Sequence, residues 1–410
     1  MNASKPWTVL VWIAGDNNLQ DAALDDVGEL KAVGSGDSVN IAVQLDRMAS
    51  GGTRRYYLRK DTTLEEDELQ DLGETNTGDP AVAIDFFKWG MQEWPSDKVL
   101  AVLWNHGSGI DETDVYARAQ ALDRVGGISP ADLLRGRFRA VAASGFKRAL
   151  FSTTIDDALT VKGIGYDDSA RDFLDNAELK RVLQEVTQAS GRPIDVLGFD
   201  ACLMNMVEVP YELRGLASFI VGSEETEPGA GWPYTDVVGS LAAKPDQGPE
   251  ELAAGIVNAY LDFYPGNEGV TQSALAVERS AEVATAVDQL AVACLATRDE
   301  PLEYVAFDKA SKAAQRFYYK DFVDLGDFCR QLLARSASQA IKTAAQAVLD
   351  ALTGSSPFVL ASGNKGPDVG GASGASIYLP DGGNVTVAYD RLDFGSDTHW
   401  AELIAKVGAG

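Results

Sequence analysis

Histidine is nearly absent from this 410-residue chain, which holds only His106 and His399, and cysteine is limited to Cys202, Cys294 and Cys329. Three thiols do not make a disulfide framework. Two distant histidines without a CxxC offer no zinc-site spacing. A Gly-rich phosphate loop after the first apolar run, a GxxxxGK[ST] motif and a GxSxG elbow are all missing, which sets aside P-loop nucleotide chemistry and the serine-hydrolase arrangement. No apolar stretch approaches the ~18–20 residues that a membrane span needs. Positive charge is also scarce: 35 Lys and Arg stand against 61 Asp and Glu, a net charge of −26. The acidic residues are scattered and leave no basic footprint, so neither nucleic acid nor an anionic membrane is expected as a partner.

What is present suits a globular protein. Apolar residues make up 45% and charged residues 23%, and the length fits two domains or one elaborated α/β domain. The opening "MNASKPWTVLVWIAG" has a short apolar run but no small-residue cleavage site, so it reads as a first core strand. As written, the chain is expected to be soluble and cytoplasmic, or secreted if a leader has been removed.

Continuous apolar, β-branched runs predict buried strands at Trp7–Ala14, Val39–Leu45, Val99–Trp104, Ile194–Phe199 and Ser218–Val221. Between them lie helical patterns. Leu19, Ala23, Val27 and Leu30 form one stripe, and "DNAELKRVLQEV" opens with a capping box, Asp175 and Glu178. The alternation predicts a mostly parallel sheet covered by helices on both faces. An insertion over about 110–165 carries the basic tract "LLRGRFRAVAASGFKRAL" and is expected to be exposed. From 271 the texture changes to Ala-rich helices around 280–297, 301–317, 321–334 and 338–353. The expected organisation is therefore an α/β domain over 1–270 and an α-rich subdomain over 271–410.

In open parallel sheets, ligands bind beyond the carboxyl ends of the strands. Three strand ends carry polar clusters: "AGDNN" at 14–18, "WNHGSG" at 104–109 and "FDACLM" at 199–204. A proton carrier near neutral pH is most readily histidine, and His106 sits at one of these ends. Cys202 sits at another. Cys294 and Cys329 fall instead on apolar helix faces and read as core. The run "CLMNMVEV" has the texture of a helix whose N-terminus would favour the Cys202 thiolate. The backbone N–H groups of Cys202 and Gly107 are candidates for an oxyanion hole. Asp200 either serves the site or caps that helix. The "DD" pairs at 156–157 and 167–168 lack EF-hand spacing and read as solvated surface, so no metal ligands are named.

Taken in order, "WTVLVWIAGDNNL", "LWNHGSG", "GFDACLMNMVEV" and "GSEETEPGAGWPY" resemble the clostripain-type (family C11, clan CD) cysteine peptidases, with weaker echoes at "DLGDFCRQL" and "GASIYLP". The resemblance implies a caspase-like αβα sandwich and a catalytic dyad of Cys202 and His106 acting on polypeptides, with Gly107 at the oxyanion hole. It implies that Asp200 lies in a pocket for a basic P1 side chain, and that Ser223, Glu225 and Trp232 line the cleft. Relatives carry an acid in "PGDGW" where this chain has Ala230, a departure that Glu225 or Glu227 would have to offset. The resemblance further implies internal cleavage in the insertion, in cis or by an activating protease. Lys147 and Arg148 are the first candidates for that cut and Lys162 is the second. No cofactor is required for such chemistry, and calcium is compatible with it. Three alternatives stay open: a silent binding module of the same fold, a peptidase of non-basic preference, and another cysteine-dependent hydrolase or acyltransferase. An enzyme built on His399 is a lesser one.

Overall fold

The computed structural model describes residues 3–48, 51–110, 164–167, 169–170, 172–381 and 389–407. Lys147, Arg148 and Lys162, with most of the insertion, lie outside the described residues. The chain falls into two compact units, Met1–Cys202 with Thr226–Leu252, and Leu203–Glu225 with Ala253–Gly410.

The strands of the first unit are β1 (Lys5–Gly15), β2 (Val39–Arg47), β3 (Thr53–Tyr57), β4 (Glu68–Gly73), β5 (Ser96–Trp104), β6 (Ile164–Asp167), β7 (Asp172–Leu174) and β8 (Ile194–Asp200). Strands β8, β5, β1 and β2 lie side by side in parallel, and β3 and β4 continue antiparallel from β2. A strand flanked by parallel neighbours is covered on both faces. The unbroken run from Trp7 to Gly15 accordingly is buried along its whole length.

The covering helices sort by strand parity. Leu10 of β1 packs on Gly90 of the helix Pro80–Glu93, where an added Cβ would sit 2.5 Å from a Leu10 methyl. Ile13, of opposite parity, pairs with Trp104. The indole of Trp104 donates to Asp26 of the helix Gln20–Val33 at 2.5 Å. The two helices therefore take opposite faces, as the αβα expectation requires. The capping box is formed as read: Glu178 N–H donates to Asp175 Oδ1 at 2.7 Å, Asp175 N–H donates to Glu178 Oε2 at 3.1 Å, and the helix Asn176–Ser190 follows.

The second unit holds β9 (Ala217–Gly222), β10 (Val270–Ala276), β11 (Phe322–Asp324), β12 (Val359–Lys365) and β13 (Ser376–Tyr378). Strand β10 pairs antiparallel with both β9 and β12, and β11 pairs with β13. Its helices, Ser280–Ala296, Pro301–Ala313, Leu325–Arg335 and Gln339–Thr353, match the Ala-rich patterns. Burial pushes the Cys294 thiol up to about 12 and that of Cys329 higher still, so both are inert core residues. Among the described residues no helix is long and apolar enough to cross a membrane.

Candidate active site

The register of β5 and β8 brings the two scarce residue types to one rim. Trp104 lies opposite Asp200 in the parallel ladder, and Asn105 N–H extends the pairing to the Asp200 carbonyl at 3.3 Å. His106 and Cys202 each follow two residues beyond that row. Gly107 closes the approach: an added Cβ would lie 2.4 Å from the Cys202 carbonyl oxygen and 3.1 Å from its nitrogen. Only glycine allows the two backbones so near.

Each side chain is held by neighbours. The Asn105 amide donates to the Ala14 carbonyl and its oxygen accepts from His106 N–H, tying the β5 end to β1. His106 Nε2 pairs with Asn18 Oδ1 at 2.8 Å. An amide oxygen only accepts, so the pairing puts the ring proton on Nε2. Glu227 N–H donates to Cys202 Sγ at 3.3 Å, a contact that favours the thiolate. Cys202 is completely buried and His106 is 4% exposed, so the sulfur is closed off from solvent in this conformation.

The helix expected to begin at Cys202 is not there. The chain turns at Leu203, whose φ of 63° makes it the one non-glycine residue with positive φ among the described residues. Such a conformation costs of order 1 kcal/mol or more. The N–H groups from here on bond to other segments: Leu203 N–H with Glu225 O, Asn205 N–H with Ser223 O and Val207 N–H with Ser376 O. Helix starts only at Glu208 and runs to Glu212. Backbone N–H groups that would have formed a helix N-terminus are spent on these partners, and support for the sulfur comes from Glu227 N–H instead.

Asp200 is fully buried and accepts from the Tyr234 hydroxyl at 2.8 Å and from Trp232 N–H at 3.5 Å. Its alternative role as a helix cap falls away with the helix. Trp232 corrects another expectation. Its ring lies fully buried on Gly198 of β8, where a Cβ would meet it at 2.8 Å, so it packs the core instead of lining an open cleft. Ala230 is exposed. Ser223 and Glu225 belong to the second unit: Ser223 Oγ bonds Thr271 Oγ1 at 2.8 Å, and Glu225 accepts from Tyr318 N–H at 3.2 Å. His399 also lies there, exposed, with Nδ1 on Asp288 at 2.7 Å, an ion pair that raises its pKa.

The reading of Asp167 as solvated surface is overturned. Its carboxylate is fully buried and accepts from Thr77 N–H at 3.0 Å and Ala170 N–H at 2.6 Å. Beside it are the buried carboxylates of Asp16 and Asp46, with one oxygen of each of the three within 4.8 Å of the others. Burial first, then the like charges of Asp167 and Asp16, push Asp46 up to about 7 against the opposing Thr53 hydrogen bond. Among the described residues, these three form the cluster able to hold a metal ion. The sequence hides them because they come from three separate segments.

The clostripain family model, Peptidase_C11, matches residues 11–129 and 152–406. Clostripain of Hathewaya histolytica is 24% identical over 272 residues, 59% of this chain; the match spans 43% of that protein's own length. A secreted C11 cysteine protease of Bacteroides thetaiotaomicron, solved with an irreversible peptide inhibitor, superposes with a TM-score of 0.62 at 20% identity over 98% of this chain and 99% of that one. An inactive zymogen C11 protease of Parabacteroides distasonis gives 0.64 at 18% identity, covering 97% of this chain and 99% of that one. The fold is thus the one these proteases share, and with the family model covering most of its length, the chain belongs to the clostripain family.

Proposed function

We propose that this protein is a cysteine endopeptidase in which Cys202 is the nucleophile and His106 the proton carrier. The observation that carries the reading is the Trp104–Asp200 register, which with Gly107 seated on the Cys202 backbone sets the two residues on one rim. Asn18 holds the Nε2 side of the ring and so fixes its orientation. The Cys202 thiolate attacks the scissile carbonyl, the oxyanion faces the Gly107 and Cys202 N–H groups, and His106 protonates the leaving amine. Water then hydrolyses the thioester, regenerating the thiol. No step draws on a cofactor.

Asp200 supports a preference for Arg or Lys at P1, because its carboxylate is the buried acid nearest in sequence to the nucleophile. The Tyr234 hydroxyl already occupies one of its oxygens, and Ala230 supplies no second acid. The preference is therefore expected to be graded. Complete burial of Cys202 favours a chain that must be opened before it works, and cleavage near Lys147 or Arg148 is the proposed activating event.

The test uses wild type, Cys202→Ala, His106→Ala and Asp200→Asn with fluorogenic peptides varied at P1, before and after limited trypsin treatment. Wild type is expected to cleave after Arg and Lys only once cut, both dyad variants to be silent, and Asp200→Asn to narrow the gap between Arg and norleucine. Failure of the cut wild type to turn over any peptide, or to be labelled by a peptidyl chloromethyl ketone, would overturn the proposal and favour a silent binding module.

A further inference from the structure

We propose that Asn18 is a positioning residue that sets the tautomer as well as the orientation of His106, and that Asn17 and Asn105 hold it to this task by tying both loops to one backbone carbonyl at the end of β1. The role rests on His106 being the proton carrier; the geometry that holds the ring does not. The shared carbonyl is that of Ala14. It accepts from the Asn17 side-chain amide at 2.9 Å and also from the Asn105 side-chain amide. Asn17 precedes Asn18 and Asn105 precedes His106, so the two loops that must meet are pinned at one point.

Each pinned side chain makes a second bond. Asn17 Oδ1 accepts from Leu19 N–H at 2.9 Å, which closes a turn around Asn18. Asn105 Oδ1 accepts from His106 N–H, which fixes the backbone from which the ring projects. Asn17 and Asn105 are fully buried and His106 nearly so, and hydrogen bonds shielded from water are costly to break. Asn18 then makes the contact itself, Oδ1 to His106 Nε2 at 2.8 Å. All of these residues belong to the first unit.

The chemistry of the amide suits this position. The chain's other histidine, His399, sets Nδ1 on the Asp288 carboxylate at 2.7 Å, and there the hydrogen bond first, then the negative charge, raises its pKa. An asparagine oxygen accepts from a ring N–H in the same way but brings no charge. It therefore selects the Nε2–H tautomer without favouring the doubly protonated ring. A proton carrier must gain and lose a proton in each turnover, and a neutral partner leaves both directions open.

The experiment labels histidine alone with 15N in the full-length chain carrying Cys202→Ala. The two histidines give two imidazole signals, and His399→Ala identifies the one from His106. The Nε2–H tautomer is expected for His106. Asn18→Leu, close in volume and unable to accept, is expected to give a mixture of tautomers, whereas Asn18→Asp, which keeps an accepting oxygen, is expected to retain the proton on Nε2. In parallel, chains with Cys202 intact are cut with trypsin and assayed on a fluorogenic Arg peptide. Asn18→Leu should lower kcat by about 100-fold, the cost of a misplaced reacting group, with KM unchanged, and Asn18→Asp should recover most of that loss. A His106 proton on Nδ1, a tautomer indifferent to Asn18→Leu, full kcat for Asn18→Leu, or Asn18→Asp as slow as Asn18→Leu would each overturn the assignment. The tautomer is read without turnover, so a wild type that hydrolyses no peptide fails the dyad reading while the spectra still judge Asn18.

Discussion

Replacing Glu208 with Gln should make the protein more stable above neutral pH and leave it unchanged in acid. Glu208 is completely buried in the second unit. Its Oε1 accepts from Tyr378 N–H at 2.9 Å and from the Tyr389 hydroxyl at 3.2 Å, while Oε2 has no hydrogen-bond partner. Burial outweighs these bonds, and with a smaller push from Glu212 it raises the carboxyl from 4.5 to about 7. A group whose folded pKa is raised holds its proton more tightly when folded. Its contribution is fully present below 4.5 and is lost as pH climbs through 7. At ~1.4 kcal/mol per tenfold change, the ionised form at pH 8 destabilises the fold by about 3 kcal/mol. Glutamine keeps the accepting oxygen and puts an NH2 where the protonated acid puts its O–H, so it mimics the neutral form. Urea unfolding followed by the fluorescence of Trp400, the one tryptophan beyond residue 232, reports on that unit. The stability gain of Glu208→Gln in a Cys202→Ala background should grow from near zero at pH 4.5 to about 3 kcal/mol at pH 8. A gain independent of pH, or a loss at pH 8, would refute the burial argument.

Gly107→Ala should lower kcat/KM by roughly 100-fold, the cost typical of a disturbed oxyanion site, because its Cβ would fall 2.4 Å from the Cys202 carbonyl oxygen. Steady-state kinetics on the processed enzyme, with circular dichroism to check the fold, measures this, and full activity would remove Gly107 from the site. His399→Ala should retain full turnover with an unmoved acid limb of the pH–rate profile, since that residue is exposed and engaged with Asp288. A shifted limb or a large loss would reinstate it as the proton carrier.

The centre of the sheet was legible in the sequence because β1, β5 and β8 are parallel and buried on both faces, which forces continuous apolar runs bounded by turn residues. The edges were not. Strand β3 reads "TRRYY" and β10 reads "VTQSALA", and Thr53, Arg55, Thr271 and Ser273 are buried with hydrogen-bond partners that no local pattern announces. The same physics divides the site. His106, Gly107 and Cys202 stand out because they end predicted strands, and the register then brings them together. The helix after Cys202 failed because propensity was overruled by pairing: Asn205 alone spends its amide on Gly222 O and on both oxygens of Ser273. Asp167 failed for a deeper reason. An aspartate looks like surface in any one segment, and only the pairing of Ala14 with Asp46 across β1 and β2 lays one acid beside Asp16. A third acid then arrives from beyond the insertion. Chemistry assembled at strand ends within one sheet can thus be read from sequence, whereas chemistry that needs an inserted segment to fold back must wait for the fold.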